Sequence, residues 1–351
     1  MKSGGFLTGF IFSREAINQP MLAFIIRRVL TIIPLMILVS IVSFIVIELP
    51  PGDWVTTRVE QLRASGVDVD NSEIERLTSQ YGLGGTGTER YFRWVTNLLQ
   101  GDFGYSFQWN QPVSEILAER VPRTLIIAVL SLIVSWIIST PIGILSAVKQ
   151  YSWVDYVGTF ISFVGLATPG FLLALILAYS ALNLLGFSPL GLQSSAFVGQ
   201  PDSLAKFFDL LKHLVLPLII VGLTGTGVTI RVLRANLLDE LKKQYVITAR
   251  AKGLTEYQLL MKYPVRMAIN PLISTVGGVL PALIGGEQLV SIVLSLDTTG
   301  PILLRAAIAQ DVYLVGGIVM ILSVFALVGT LLSDIALASL DPRIRFGGVK
   351  K

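Results

Sequence analysis

Between Arg28 and Glu48 the chain carries no charged residue, and that stretch constrains the fold more than any motif. A bilayer's hydrocarbon core is crossed by about 20 mainly apolar residues in a helix. Runs of this kind recur: the first is placed at 24–47, and five more at 122–148, 156–185, 213–230, 267–293 and 312–337. Backbone polar groups in lipid must be satisfied inside the segment, so the expected fold is an all-α polytopic membrane protein with about six transmembrane helices. Hydrophobic residues make up 53% of the chain and charged ones 14%, where soluble domains carry about 25% charge. A cleaved signal peptide would have a shorter apolar core ending in small residues. The first run instead ends in Glu48-Leu49-Pro50-Pro51-Gly52-Asp53, which reads as an uncleaved anchor. Pro34, Pro141, Pro169, Pro217 and Pro281 fall inside spans, where neighbouring helices can satisfy the freed backbone groups.

Basic residues in short loops set orientation. Arg27 and Arg28 precede the first span, and Lys149 lies between the second and third. Arg234, Lys242, Lys243, Arg250, Lys252 and Lys262 fill the connection between the fourth and fifth, and Arg343, Arg345, Lys350 and Lys351 the tail. Both termini are therefore expected in the cytoplasm. The division reads as a cytoplasmic extension (1–23), a first span (24–47), a small external domain (48–121) and a core (122–351) whose long cytoplasmic loop covers 234–266. In the external part, Ser72 with Glu75 fits a helix-capping box, Gly82 a helix stop, and 84–87 a glycine-rich loop. Asp297, Arg305 and Asp311 read as ordinary external-loop charges.

The net charge of +4 follows from basic cytoplasmic loops and does not indicate nucleic-acid binding. With no cysteine and one histidine, thiol chemistry is excluded and a metal site is not expected. No catalytic cluster appears, and no G-x-x-x-x-G-K-[ST] loop, so the chain carries no nucleotide site of its own and is not expected to be an enzyme. His213 reads as a structural residue at a span end, where its ring suits a wet–apolar boundary.

The loop between spans four and five is the most informative segment. Leu237, Leu241, Tyr245 and Thr248/Ala249 recur at helical spacing, predicting one amphipathic helix over 236–252. Gly253 suits the left-handed position that ends it. Thr255 and Gln258 form a second capping box, stapled by Leu254 and Leu259, and Pro264 closes the short helix that follows. Such a helix–turn–helix with an exposed apolar side needs a partner surface, which either a protein or lipid headgroups would supply.

The segment Tyr245-Val-Ile-Thr-Ala-Arg-Ala-Lys-Gly-Leu254 resembles the conserved cytoplasmic EAA loop of ABC importer permeases, in particular the dipeptide/oligopeptide/nickel permease family. The likeness runs from Met21 through Pro51-Gly52-Asp53, Gly101-Asp-Phe-Gly-Tyr-Ser106, Pro122-Arg-Thr-Leu125 and His213-Leu-Val-Leu-Pro217 to Leu340-Asp-Pro-Arg-Ile-Arg345. The chain departs from the family pattern at Trp54, Gly84-Gly85, Ile247 and Tyr263-Pro-Val-Arg266. The resemblance implies a binding-protein-dependent importer in a bacterial inner membrane. Its parts would be this subunit, a homologous second permease, two ATP-binding subunits and an external solute-binding protein. ATP would be used by the partners, and no cofactor would be bound by this chain. Ala249, Arg250, Ala251, Lys252, Gly253, Leu254 and Glu256 would couple to the ATPases. The implied cargo is an oligopeptide, with an oligosaccharide or nickel chelate as alternatives.

Glu287 is the one charge interrupting the run from Met267 to Leu296. A charge inside a span is costly and points to function, so Glu287, with Pro169, is a candidate for the translocation pathway, against an interfacial position for its carboxylate. The competing classes are an ion-coupled secondary transporter and an intramembrane enzyme. The first would need acids or broken helices in paired halves, and the second a polar catalytic cluster within the spans; neither pattern is present.

Overall fold

A computed structural model describes residues 21–49, 55, 56, 59, 63–66, 70–80 and 84–340. Its first helix, α1 (Met21–Glu48), is exposed along most of its length, with Ile26, Leu30, Ile33, Ile37, Leu38 and Val42 uncovered. Water would not tolerate such a surface; lipid requires it. Polar and aromatic contacts anchor α1 instead, among them the ion pair of Glu48 with Arg90 at 2.6 Å. Arg28 pairs with Asp334 at 3.0 Å, the Ser40 hydroxyl meets the Tyr91 hydroxyl at 2.9 Å, and Phe44 packs edge-on to Tyr91.

Beyond α1, helix α2 (Asn71–Gln80) begins one residue earlier than the expected cap. Ser72 lies in its first turn and donates its hydroxyl to Asp70 at 2.6 Å, so it is not the N-cap. Gly82 and Trp54 lie outside the described residues. Helix α3 (Gly87–Leu99) starts with a complete capping box between Thr86 and Glu89, at the end of the stretch expected to be a glycine-rich loop. Trp94 of α3 is buried against Gly316, where any β-carbon would come within 2.8 Å of the indole. A two-residue antiparallel ladder, β1 (Tyr105–Ser106) with β2 (Gln111–Pro112), leads directly into helix α4 (Val113–Val148).

Helix α4 runs nine residues past the expected start of the second span, because Pro122 is accommodated inside the helix rather than opening it. The boundary expected at 121/122 therefore falls within one continuous element. The third expected span is broken: α5 (Trp153–Ala167) and α6 (Gly170–Leu185) meet at 105°. Pro169 is the physical cause, since it lacks an N–H and biases the preceding residue away from helix; Thr168 is extended at φ −96, ψ 118. Next comes α7 (Leu204–Leu241), 38 residues long and nearly 60 Å from end to end at about 1.5 Å per residue. Two short helices, α8 (Gln244–Ala251) and α9 (Glu256–Lys262), precede α10 (Pro264–Val293), α11 (Thr299–Ile308) and α12 (Val312–Leu340). Among the described residues, α1, α4, α7 and α12 are each long and apolar enough to cross a bilayer, and the α5–α6 pair adds a bent fifth.

Helix α7 is the axis of the packing, flanked by α4, α5 and α10, while α12 lies on α10 and α1. Close approach depends on small residues, as in membrane helix pairs generally. A β-carbon on Gly165 of α5 would stand 2.5 Å from the Leu223 carbonyl of α7, and one on Gly227 of α7 would stand 2.5 Å from the Ser162 carbonyl of α5. The Ser162 hydroxyl then donates to the Gly227 carbonyl at 2.7 Å. The apolar core gathers Ile116, Ile127, Ile220, Leu296, Leu314 and Ile318.

Two of the charges expected in an external loop, Asp311 and Asp297, are structural. Asp311 is fully buried; its carboxylate accepts from the Ser106 hydroxyl at 2.6 Å and from the backbone N–H of Gln108 and Leu314. Asp297 pairs with both Arg120 and Arg123 of α4. These contacts tie the β1–β2 ladder and α11 to the helical core, as does the Thr124–Thr299 hydroxyl pair at 2.9 Å. His213 is buried inside α7 rather than placed at a wet–apolar span end: its Nδ1 lies 2.9 Å from the Asp209 carbonyl and its ring meets Phe187 edge-on.

Candidate coupling hairpin

At one end of the helical body α7 gives way to a hairpin of two short helices. The sequence reading placed a single helix over 236–252. Instead α7 stops at Leu241, Lys243 is extended at φ −74, ψ 148, and α8 begins at Gln244. Side chains hold this break. Glu240 accepts from Lys243 Nζ at 2.6 Å and from the Tyr245 hydroxyl at 2.5 Å. Burial and that bond both push the Tyr245 phenol above its ordinary range, so it stays a neutral donor. The apolar stripe is thus divided. Leu237 is buried beside Leu233, Val265 and Ala268 in the body, whereas Val246 and Ala249 face α9.

The turn itself matches expectation. Gly253 has φ +81, the left-handed region where a β-carbon is penalised, and its surroundings are open. Thr255 caps α9 by accepting from the Gln258 N–H. Val246, Ala249 and Leu259 form a small dry core, with Leu254 and Tyr263 against it. Pro264 occupies the first position of α10, where its missing N–H costs nothing.

Arg250 and Glu256 were expected to point at a partner; they bind each other. Arg250 Nε and Nη2 donate to the two Glu256 oxygens at 2.7 and 3.1 Å, closing a brace across the Gly253 turn. The Arg250 guanidinium holds the Glu256 carboxyl below its ordinary range. Ala251 and Lys252 remain exposed beside the brace. On the outward side Ile247 is 49% exposed, Tyr257 74% and Met261 48%. Three large apolar side chains around a rigid, charge-braced turn form a surface suited to a protein partner.

Near the hairpin end of the body, α7 and α5 are joined by a pair that no local sequence pattern marks. Arg234, near the hairpin end of α7, binds Asp155 at the start of α5 through both Nε and Nη2, at 2.7 and 2.8 Å. Asp155 is 3% exposed and also accepts from the Tyr151 N–H at 3.0 Å. The only available signal was an acid at the edge of the third apolar run.

The two pathway candidates are not brought together with the hairpin. Pro169 is exposed at the α5–α6 bend. Glu287 is fully covered within its own chain. Among the described residues neither carboxylate oxygen has a hydrogen-bond partner of ordinary geometry; the nearby Ser291 hydroxyl donates instead to the Gln288 carbonyl at 2.8 Å. Burial replaces the interfacial position considered for it. Among the described residues no His, Cys, Asp and Glu cluster could hold a metal.

Fold and hairpin together define a class: a multi-pass α-helical membrane protein whose longest described helix is followed by an exposed two-helix turn. Comparison with known families makes the class specific. The family described as binding-protein-dependent transport system inner membrane component matches residues 139–346, and its companion N-terminal family matches residues 21–128. The chain belongs to this family of inner-membrane transport components. It is the membrane permease subunit of an ABC importer rather than the ATP-hydrolysing one. It is 35% identical to the oligopeptide transport system permease protein AppB of Bacillus subtilis over 93% of this chain and 100% of that protein. It is 32% identical to the peptidoglycan transport system permease protein YejB of Agrobacterium fabrum, over 92% of this chain and 98% of that one.

Proposed function

We propose that this permease imports peptides, forming half of a translocation pathway completed by a homologous second permease. The observation that carries the coupling is the braced hairpin at 242–262, whose exposed Ile247, Tyr257 and Met261 would seat in a groove of an ATP-binding subunit. Two such subunits would bind and hydrolyse ATP, and this chain would bind no cofactor. A solute-binding protein would deliver cargo at the opposite end, where 84–112 and α11 lie. The hairpin and both termini would face the cytoplasm, as the basic residues of the loop require. Peptide cargo is supported by the relatives named for oligopeptide and peptidoglycan transport. Pro169, exposed at the bend, would line the pathway; Glu287 would reach it only in a conformation that parts α10 from α11.

Copurification tests the assembly. The chain should bring down an ATP-binding subunit, and Tyr257→Asp with Met261→Asp should abolish that while leaving the second permease attached. Retention of the ATPase by the double variant would remove the hairpin from the interface. In this cysteine-free chain, Ser65→Cys should react with an impermeant maleimide on intact cells and Gln244→Cys should not; the reverse pattern would invert the orientation.

A further inference from the structure

At the end of the body remote from the hairpin lies a cavity of about 380 Å³ between α4 and the α10–α11 connection. The connection is shaped by Ser295, a non-glycine residue at φ +50. Its N–H bonds to the Ile292 carbonyl and the Leu296 N–H to the Ser291 carbonyl, the paired bonds of a Schellman stop. This turn folds residues 296–298 back over the end of α10 and sets Thr298 in the cavity wall.

Three polar side chains in that wall keep unused hydrogen-bonding capacity among the described residues. Thr298 is 1% exposed, and its hydroxyl lies near the Glu287 carboxylate without a hydrogen bond of ordinary geometry among the described residues. Arg120 gives Nη1 to Asp297, and its buried Nε makes no hydrogen bond, the Glu119 carboxylate lying 3.7 Å from it. Arg305 lines the same cavity and makes no ion pair among the described residues. Asp297, the one carboxylate in the wall, is already shared by Arg120 and Arg123. Arg305 is thus the guanidinium in the wall without a counter-charge among the described residues, and an anionic acceptor would pair with it. A carboxylate fits it well, because guanidinium and carboxylate are planar and pair bidentately.

The rest of the lining is apolar: Trp109, Ile292, Pro301, Ile302 and Leu304. An inorganic anion has no use for such walls. The volume is near the lower end of the range for ligand pockets, roughly 300–1,000 Å³, enough for one residue but not for a whole peptide. We infer that this cavity receives the carboxyl-terminal residue of a peptide cargo, the carboxylate between Arg305, Arg120 Nε and the Thr298 hydroxyl and an apolar side chain against Trp109 and Ile302. The inference rests on the peptide-import reading and adds to it the end of the peptide that is recognised.

The test uses the complete importer in proteoliposomes with its own binding protein, comparing uptake of Ala-Ala-Leu with that of its carboxyl-terminal amide. The binding protein is the same for every permease variant, so its own preference cancels when variants are compared on one peptide. Arg305→Gln should lower uptake of the free acid about tenfold, the scale of one lost charge-assisted contact, and leave the amide unchanged. Arg305→Lys should recover part of the loss. An equal loss for acid and amide, or no loss for either, overturns the carboxylate site and leaves peptide import standing. Failure of the wild-type importer to take up either peptide, with ATP hydrolysis intact, overturns the peptide reading and the site with it.

Discussion

Arg234 grips Asp155 with two nitrogens, at 2.7 and 2.8 Å, and so joins the hairpin end of α7 to the first turn of α5. Asp155 is almost wholly buried and Arg234 about a quarter exposed. Displacement of the hairpin along α7 would therefore reach the bent α5–α6 pair through one ion pair and the Ser162–Gly227 contact above it. Removing one partner of such a pair leaves an uncompensated charge. Asp155→Ala should destabilise the protein by about 3 kcal/mol, the lower end for a buried pair because Arg234 keeps some water. Asp155→Ala with Arg234→Ala should cost less than the sum of the two single changes. Thermal unfolding in detergent measures this; additivity within about 0.5 kcal/mol would show the two side chains to be uncoupled.

Gly253 tests the turn without disturbing packing. Its φ is +81, and a β-carbon there would meet no atom within 4 Å. The penalty for substitution is therefore conformational, roughly 1–2 kcal/mol for an L-residue and worst for a β-branched one. Gly253→Val should insert normally yet lose ATPase association or hydrolyse ATP without import, while Gly253→Asn should retain most activity because Asn tolerates this region. Equal behaviour of the two variants would detach the phenotype from backbone conformation.

The Arg250–Glu256 brace should respond to pH in one direction only. Arg250 depresses the Glu256 carboxyl, so the pair's contribution is complete above the unfolded glutamate value, about 4.3, and is lost as pH falls through the lower folded value. The hairpin should therefore be unchanged from pH 6 to 8 and loosen only below about pH 4. Amide exchange at Leu254, corrected for intrinsic rates, reports this. Glu256→Gln should show the loosened exchange at every pH. Opening of the wild-type turn between pH 6 and 8 would contradict the assignment.

Two glycines separate close packing from helix propensity. Gly165 faces the Leu223 carbonyl so closely that even one methyl would stand 2.5 Å from it. Gly165→Ala should force α5 from α7 and cost about 1–3 kcal/mol. Gly285 of α10 has nothing within 4 Å of an added β-carbon, so Gly285→Ala should be neutral or stabilising by up to about 1 kcal/mol. Melting temperatures that fall equally for both would argue against backbone contact between α5 and α7.

The amino-acid sequence by itself determined the membrane class, the existence of long apolar segments and the left-handed stop at Gly253. Those properties are local: hydropathy is summed over about 20 residues, and a cap or turn is decided within a few. Tertiary structure decided the rest. Pro169 could have kinked a span mildly, as Pro34, Pro141 and Pro217 sit inside unbroken helices. Contacts of α5 with α7 and of α6 with α10 accompany a 105° break instead. Asp155 and Arg234 are 79 positions apart, Arg123 and Asp297 174, and Ser106 and Asp311 205. No local pattern marks such partners. They are specified by burial, because an ionised group drawn into a low-dielectric body must find its counter-charge or donors wherever the helices bring them.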